Sequence, residues 1–484
     1  MSGWIGFNTA VSGLLASQKN LYTTNHNIAN VNTKGYSRQV NTQESNNPLN
    51  IAGLGFLGTG TNITEVNRVR NSYLDFKYWG EKAPVGEWIV KEDTLTEISH
   101  VFNEPSESSI RKNLDEFFTS LESLSTNPSD DSNRALVREK MISLTKYINS
   151  TAENLKSTQK EINFEVGTNI KKINSYSERI AGLNKEIYQI ELDGSSANDL
   201  RDSRDLLVDE LSEIVNINAT ETNGKFKVQI GGVALVDDDI SNKLKYPAPT
   251  VENPLNKEEK LYQLEWENGN KLKLESGTLK GLIDVRDGGG EKGEYRGVPF
   301  YISRLNEFAN TFAKRLNDIH STGYTRDGKT GINIFESNSG EEIDASNIKI
   351  SEDILRNLDN IAASSSNDTS DKENNDIIKE LIKKRDDNNF FDNTTPQGTP
   401  DDFMKSVLST LAVDGQQSIR MKENGNVIVD GINKRRQSES GVSIDEEMSN
   451  MVKFQHSYNA AARMITTIDE IYDVTINRLG LVGR

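Results

Sequence analysis

Residues 4–28 read WIGFNTAVSGLLASQKNLYTTNHNI, and this stretch decides the fold because its apolar side chains recur with helical spacing. Steps of three and four residues connect the positions that define the pattern: Trp4, Phe7, Val11, Leu14, Gln18, Leu21, Asn25 and Ile28. Such a heptad seam predicts a helix, which should end near residues 30–32 because Asn tolerates the left-handed conformation. An isolated helix of this length is marginal in water, so the seam also predicts a packing partner.

The other end of the chain has a second seam, and no Pro or Gly interrupts it. Its positions step by fours and threes: Ile444, Met448, Met451, Gln455, Tyr458, Ala462, Ile465, Asp469, Tyr472, Ile476 and Leu479. Both ends of the chain are therefore predicted to be heptad helices. Two ordinary amphipathic core helices would show the same periodicity, but their position at the two chain ends favours pairing or assembly.

Helical spacing continues between the two ends. Residues 90–125 predict helices that the stretch NEPSES (103–108) interrupts. Residues 130–192 contain no Pro and predict one long helix. The sequence leaves open whether that helix breaks at Gly167 or Gly182.

The spacing changes to two further along the chain. Residues 226–230 alternate between apolar and polar side chains and predict a strand, and 262–274 predict a hairpin around the turn ENGN. A helical pattern returns over 302–319. The polar stretches 364–376 and 384–402 are predicted to be exposed loops or linkers.

Composition and charge exclude several classes of function. The chain has 73 acidic and 56 basic side chains, and a net charge of -17 disfavours binding to nucleic acid. The absence of Cys excludes disulfides, thiolate metal sites, iron–sulfur clusters and Cys nucleophiles. The N-terminus does not resemble a cleavable signal peptide, and no apolar run approaches the about 20 residues that span a bilayer. With only 34% hydrophobic residues, thin or elongated modules are expected rather than one large globule.

Two glycine-rich stretches imitate nucleotide-binding motifs. Residues 323–330, GYTRDGKT, have the spacing of a phosphate-binding loop, but they follow a helical pattern rather than a buried strand, so they predict an exposed turn. Gly53, Gly55 and Gly58 have the spacing of a dinucleotide fingerprint, but no apolar strand precedes them. They predict a glycine-rich loop that enters a strand.

No set of residues predicts catalysis, a cofactor or a metal site. The four histidines are too far apart in sequence for a zinc pair on one helix or a recognisable triad, and each is interpreted as a surface or interface residue: His26, His100, His320 and His456. Acidic pairs are interpreted as solubilising charge.

Residues 26–39, HNIANVNTKGYSRQ, resemble the N-terminal signature of the axial proteins of the bacterial flagellum. The ending GYSRQ narrows the resemblance to the flagellar hook-associated protein 1 family, although Lys34 stands where that family often has Pro. Four further stretches resemble the same family: FNEPSESSIRKNLDEFFTSLESLSTNPSD from Phe102, ANDLRDSRDLLVDELSEIVNI from Ala197, SGTLKGLIDVRD from Ser276 and EEMSNMVKFQHSYNAAARMITTIDEIYDVTINRLG from Glu446. The resemblance covers most of the chain in order, except for about 325–405, where the similarity is only scattered.

The resemblance implies a mainly α, elongated multi-domain protein with a β-containing insert. Its terminal heptad helices would pair as a coiled coil, with a helical-bundle domain outside them and an outer α+β or β domain beyond. The implied divisions are 1–36 and 440–484 for the paired terminal helices of an inner tube, 37–215, 276–324 and 405–439 for the mainly helical domain, 216–275 for a β-rich hairpin region, and 325–404 for a variable outer insert.

The resemblance also implies a function without catalysis. The chain would be a structural adaptor that joins hook to filament, is exported by the flagellar type III apparatus and resides outside the cell. Its partners would be copies of itself in a ring, the hook subunit, the second junction protein and a cytoplasmic export chaperone at the C-terminal helix, with no nucleic acid and no membrane insertion. Assembly contacts are expected at Leu14, Leu21, Ile28, Met451, Phe454, Tyr458 and Ile465. The turn after the first helix is expected to depend on Asn27, Asn30, Asn32, Gly35, Tyr36 and Ser37.

Three alternatives stay open. Another axial subunit, from the rod or the hook, would have similar terminal helices. A nucleotide-dependent enzyme would use residues 323–330. An exposed central region is also free to acquire an adhesive or enzymatic role of its own.

Overall fold

The structure is a computed structural model, and it describes residues 2–51, 55–103, 109–291, 293–392 and 394–478. Three parts of the sequence predictions lie outside the described residues: Leu479, Gly53 and residues 104–108 of NEPSES. The side chain of Trp4 also lies outside the description.

Helices make up most of the described chain, and the strands are short. The helices are α1 (Ser2–Ala29), α2 (Ser72–Phe102), α3 (Ile110–Thr126), α4 (Asp131–Glu191), α5 (Asn198–Ile214), α6 (Thr278–Asp287), α7 (Val298–His320), α8 (Glu352–Arg356), α9 (Asp376–Lys383), α10 (Pro400–Ser440) and α11 (Ile444–Asp473). The strands are β1 (Gln39–Ser45), β2 (Leu49–Ile51), β3 (Gly55–Leu57), β4 (Thr61–Arg68), β5 (Asn218–Thr222), β6 (Lys225–Ile230), β7 (Val233–Asp237), β8 (Ile240–Ser241), β9 (Thr250–Asn253), β10 (Asn256–Tyr262), β11 (Phe335–Ser337) and β12 (Ile348–Ile350). The predicted mainly α fold with a β-containing part is confirmed.

Helix α4 runs without a break for 61 residues. Neither glycine interrupts it, because a single Gly weakens a helix by only about 1 kcal/mol when the helix packs along its length. Gly167 lies against the ring of Tyr262, where a Cβ would stand 3.1 Å from Cε2, so its lack of a side chain permits close packing. At the start of the helix, Asp130 accepts a hydrogen bond from the backbone N–H of Ser132, which caps the first turn.

An aromatic cluster holds part of the polar stretch 384–402 in the core. Phe390 and Phe391 are 1% and 0% exposed, and the ring of Phe391 stacks on Phe403 with 4.4 Å between centroids. Phe391 also lies 5.7 Å from Phe308 of α7. The prediction of an exposed loop was therefore wrong for these two residues. Burial of a large aromatic ring is favourable enough to hold the segment in the core although its neighbours in sequence are polar. Residues 364–376 lie mostly at the surface, as predicted.

The period-two patterns form antiparallel sheets. Strands β5, β6, β7 and β8 form one four-stranded sheet in that order, and Phe226, Val228 and Ile230 of β6 are buried on one face. The predicted hairpin around ENGN is shorter than expected. Beyond β10, an isolated bridge between Glu265 and Lys271 joins its two arms, and Trp266 forms a bridge with Leu244 outside the hairpin.

The two terminal helices pack against each other in antiparallel orientation. Near one end of the pair, a Cβ on Gly6 would lie 3.8 Å from Cδ1 of Ile468. Near the other end, Nδ2 of Asn27 donates a hydrogen bond to Oε2 of Glu447 at 3.2 Å. These contacts are 21 residues apart along both helices, so one register holds along the whole pair.

The burial of α11 corrects the predicted seam. The half-buried stripe contains Met451, Phe454, Tyr458, Ala461, Ala462, Ile465, Ile468 and Tyr472. Five seam positions were predicted correctly: Met451, Tyr458, Ala462, Ile465 and Tyr472. The prediction was wrong for the other described seam positions, which are exposed: Ile444, Met448, Gln455, Asp469 and Ile476. Phe454 and Ile468 take the places of Gln455 and Asp469. Phe454 and Gln455 are adjacent on the helix surface, and so are Ile468 and Asp469. The helix is oriented so that the apolar residue of each pair faces α1, because burial of apolar surface is favourable.

Helix α1 buries a face that its apolar seam does not predict. The buried residues are small or polar: Ala16, Ser17, Asn20, Thr23, Thr24 and Asn27. A hairpin of β1 and β4 covers them, where Nδ2 of Asn41 donates to Asn20 at 2.8 Å and Oγ1 of Thr23 donates to Asn41 at 3.0 Å. Small side chains allow the strands to approach closely, and polar ones satisfy the hydrogen bonds of that contact.

Candidate assembly site

The structure places the predicted assembly residues along the terminal pair, and all of them are half-buried in the single chain. Leu14, Leu21 and Ile28 lie on α1. Met451, Phe454, Tyr458 and Ile465 lie on the α11 stripe. Half-burial means that the partner helix covers one side of each residue while another side still faces out. Their role in contacts between subunits stays a prediction.

Large apolar side chains are also exposed on the terminal pair. On α1, Leu15 and Tyr22 are 52% and 75% exposed. On α11, Met464 and Ile471 are 56% and 58% exposed. Single exposed apolar residues are ordinary on protein surfaces, but several on one helix pair are typical of a surface that another protein covers.

The turn after α1 is organised by Asn27, which is 1% exposed. Its Oδ1 accepts hydrogen bonds from the hydroxyl of Tyr36 at 2.8 Å and from the backbone N–H of Gln39 at 3.0 Å. Its Nδ2 donates to the carbonyl of Gln39 at 2.9 Å and to Glu447. Burial, with Asp199 nearby, raises the pKa of Tyr36, so its hydroxyl keeps the proton that it donates. Asn27 therefore links α1, the first strand and α11.

Asn30 and Asn32 have lesser parts in the turn. Nδ2 of Asn30 donates to the carbonyl of His26 at 3.1 Å, and Oδ1 of Asn30 accepts from Thr33 at 3.0 Å. Asn32 is exposed in the turn itself. Gly35 has a φ of 84°, which favours glycine, and a Cβ there would lie 3.2 Å from Cβ of Leu206.

Ser37 connects the turn to α5. Its backbone N–H and its hydroxyl each donate a hydrogen bond to Asp202 at 2.8 Å. Arg68, at the end of β4, donates to Asp202 at 2.7 Å and to Asp205 at 3.0 Å. Both carboxylates are buried, so these contacts are made away from water and depend on a charged partner.

Further arginines surround the same acidic helix. Burial opposes ionisation of Asp205, but Arg70, Arg204 and Arg68 together hold its pKa below the usual range. Arg436 of α10 pairs with Asp75 at 2.8 Å and with Asp209 at 3.0 Å. The network therefore ties α2, α5 and α10 to the base of the hairpin.

Arg38 joins this network to the terminal pair. Its Nε donates to Oε1 of Glu447 at 2.8 Å, and its backbone N–H donates to the carbonyl of Ser440 at 2.8 Å. Glu447 is 2% exposed. We call Asn27, Arg38 and Glu447 the latch, because they join the first helix, the turn and the last helix.

Sequence reasoning missed most of this network. It found Asn27, Tyr36 and Ser37, but it interpreted acidic residues as solubilising charge. Four carboxylates on α5 recur at steps of three and four and so share one helix face: Asp199, Asp202, Asp205 and Asp209. That spacing, beside the arginines of the signature and of residues 68–70, was the signal that could have revealed the site.

In the described residues, neither nucleotide-like motif lies between a buried strand and the start of a helix, as a phosphate site would require. In GYTRDGKT the backbone N–H of Gly328 donates to the carbonyl of Thr325 at 2.9 Å, which forms a turn after α7. The side chain of Lys329 is 62% exposed and lies 3.8 Å from Asp327. The turn interpretation is confirmed. The second stretch leads into β4, and the next helix begins only at Ser72.

One histidine prediction was wrong. His320 is 1% exposed, not at a surface. Its Nε2 accepts from the backbone N–H of Ala362 at 2.8 Å, and its Nδ1 donates to the carbonyl of Ile332 at 2.8 Å. Burial lowers its pKa to about 4, so the ring is neutral. Within the described ranges, no three His, Asp or Glu side chains lie close enough to hold a metal ion.

Comparisons with known proteins match the ends and the middle of the chain separately. The model of the flagellar hook-associated protein FlgK helical domain matches residues 95–335. Residues 7–36 match the model of the flagella basal body rod protein, and 435–479 match the C-terminal model of the flagellar basal body rod FlgEFG protein. Flagellar hook-associated protein 1 of Bacillus subtilis (strain 168) is 31% identical over 515 residues, which span 100% of both chains. This chain belongs to the flagellar hook-associated protein 1 family. The resemblance drawn from HNIANVNTKGYSRQ is thereby confirmed.

Two further comparisons have lower sequence identity. The Escherichia coli (strain K12) protein is 24% identical over 555 residues, with 97% of this chain and 99% of that protein covered. A solved structure of the flagellar hook junction protein FlgK from Burkholderia pseudomallei is 21% identical, with a TM-score of 0.47 over 54% of this chain and 46% of that one. Family membership makes this chain an axial component of the flagellum. No helix in the described part of the chain is long and apolar enough to cross a membrane.

Proposed function

We propose that this chain is a structural adaptor that joins the hook to the filament, and that it assembles through its terminal helices. The observation that carries the proposal is the terminal pair. Helices α1 and α11 cover each other along one side and leave residues such as Tyr22, Met464 and Ile471 exposed. Covering such side chains in neighbouring subunits would contribute about 1.5–3 kcal/mol for each one fully buried.

The latch supports this function because it fixes how the terminal pair leaves the rest of the protein. An axial subunit must present its pair at a defined angle, and Arg38 and Glu447 join both chain ends to the buried network around α5. In assembly, Leu14, Leu21, Ile28, Met451, Phe454, Tyr458 and Ile465 would complete their burial, and the pair would have coiled-coil geometry.

The proposed partners follow from this role. They are further copies in a ring, the hook subunit on one side and the second junction protein on the other. An export chaperone would cover α11 in the cytoplasm before type III export delivers the chain to the outside of the cell. The domain divisions also remain proposals: a terminal pair, a mainly helical domain, a β-rich region at 216–275 and an outer part at 325–404.

Electron microscopy of isolated hooks that lack their native junction proteins tests the proposal. Purified protein is added, and the distal end of each hook is examined. We expect a short layer that stops growing. Continuous tubes would instead indicate a rod or hook subunit, the alternative to which the rod-protein matches at residues 7–36 and 435–479 would also apply. A folded, monomeric protein that binds no hook would contradict both.

A further inference from the structure

A second apolar surface lies on the hairpin between α1 and α2. Beyond the pairing of β1 with β4, the hairpin continues as the short ladder of β2 with β3, in which Leu49 pairs with Leu57. Leu49, Leu57 and Phe56 are 52%, 37% and 73% exposed. We call these three residues the apolar tip. Phe56 is next to Leu57 in the strand and so points to the opposite face, which leaves apolar side chains exposed on both faces.

The apolar tip is held by a rigid base. Strands β1 and β4 lie along α1, as the bonds of Asn41 to Asn20 and Thr23 show. Further along, the backbone N–H of Thr61 donates to Oγ of Ser12 at 3.2 Å, and Gly60 approaches so closely that a Cβ would overlap that hydroxyl. The hairpin thus runs antiparallel to α1 and extends towards the start of that helix.

The hairpin around the tip and the start of α1 are both uncharged stretches of the sequence. Residues 45–64 contain no charged side chain, and neither do residues 2–18 of α1. In a chain with 27% charged residues and a net charge of -17, two such stretches side by side are unusual. Copies of an acidic protein repel one another, so they approach most easily where neither surface carries charge.

We propose that the apolar tip docks on a second copy of this chain, the neighbour in its ring. The inference rests on the proposed function, because it takes the ring as given and assigns one of its contacts. The tip of one copy and residues 5–18 of the next copy's α1 are different surfaces, so the contact is head-to-tail. Head-to-tail contacts close into rings when the rotation permits. A two-stranded ribbon is only marginally stable alone, so packing of the β2–β3 ladder against a neighbouring copy would stabilise it.

Photo-crosslinking during assembly on hooks tests which protein covers the tip. A benzophenone amino acid replaces Phe56 in one variant and Phe164 in a control variant, because Phe164 is equally exposed at 73% but lies on α4. We expect covalent dimers of this chain from position 56, at least about tenfold above position 164. Crosslinks only to the hook subunit or the second junction protein would overturn the proposal, and so would the absence of crosslinks in a layer that has formed.

Substitution separates this proposal from the function on which it rests. Phe56→Asp should unfold like the wild type, because the side chain is exposed, but should need at least about tenfold more protein to form the layer. Phe164→Asp should form it at the wild-type concentration. A normal layer from Phe56→Asp would overturn the docking contact and leave the adaptor function intact. Failure of the wild type to form a layer would contradict the function itself.

Discussion

Replacing Glu447 by Gln should uncouple the terminal pair from the rest of the protein. The carboxylate of Glu447 accepts from Nε of Arg38 at 2.8 Å and from Nδ2 of Asn27 at 3.2 Å. Because Glu447 is 2% exposed, little water can replace these contacts. Gln keeps the shape of the side chain but removes the charge that Arg38 faces.

The contacts of the pair set the size of the effect. Removing one partner of a fully buried ion pair costs about 3–5 kcal/mol. Here the side chain of Arg38 is 23% exposed and has a second contact, 3.2 Å to Glu446. The side chain of Glu446 is 64% exposed, so that contact contributes only about 0–1 kcal/mol. We therefore expect Glu447→Gln to destabilise the attachment by about 2–3 kcal/mol.

Amide hydrogen exchange measures this opening locally. In Glu447→Gln the amides of α11 should exchange at least about 30-fold faster, while those of α4 stay unchanged. Glu446→Gln is the matched control and should change exchange less than about fivefold. A double-mutant cycle with Arg38→Gln should give a coupling of about 1–3 kcal/mol. A coupling below about 0.5 kcal/mol would refute the idea that this pair joins the helices.

Three further substitutions test the buried network, the core and the turn. Asp205→Asn should lower the free energy of unfolding by about 3–5 kcal/mol at pH 7, with Asp193→Asn at the surface as control. Since arginines depress the pKa of Asp205, this loss should shrink as pH falls below the ordinary Asp range, and a constant loss would contradict the charge pairing. Because burial lowers the pKa of His320 to about 4 in the folded state, the unfolded state binds a proton at higher pH than the folded state does. Stability should fall by about 3 kcal/mol from pH 7 to 4 relative to His320→Gln, and parallel pH curves in urea denaturation would disprove this. Gly35→Ala should destabilise the protein by about 1–2 kcal/mol, because Gly35 has a φ of 84° that disfavours Ala. Gly182→Ala inside α4 is the control and should stabilise the protein by up to about 1 kcal/mol. Thermal unfolding in which Gly35→Ala is the more stable variant would contradict the need for glycine in the turn.

Periodicity was enough to predict α4 and the two terminal helices, but it did not predict α10 or the first half of α2. The absence of Pro over 130–192 and the regular apolar spacing correctly predicted α4, and both terminal seams correspond to helices. What failed was the choice between neighbouring positions, such as Phe454 over Gln455. Residues one apart border the same stripe, and only the partner helix decides which of them it covers.

The spacing of the aspartates on α5 marks an acidic helix face, but the sequence does not show which residues pair with it, because the partners are far apart in the chain. Ser37 and Asp202 are 165 residues apart, and Arg38 and Glu447 are 409 apart. The sequence around a charged residue does not show its partner. It also does not show whether an acidic side chain is exposed or buried. Phe390 and Phe391 were misjudged for a related reason, since the polar composition around them gave no sign of the aromatic cluster from α7.

Substitution of exposed apolar residues on the terminal pair tests most directly whether the terminal helices assemble this protein. Met464 and Ile471 are exposed on α11 and lie outside the stripe that faces α1, so replacing both by Asp should leave the monomer folded. Tyr188→Asp, at a residue 62% exposed on α4, is the control. Layers on hooks are then scored by electron microscopy. We predict that the control forms the layer and the double variant, folded by circular dichroism, does not. A normal layer from the double variant would contradict the claim that the terminal helices assemble this protein.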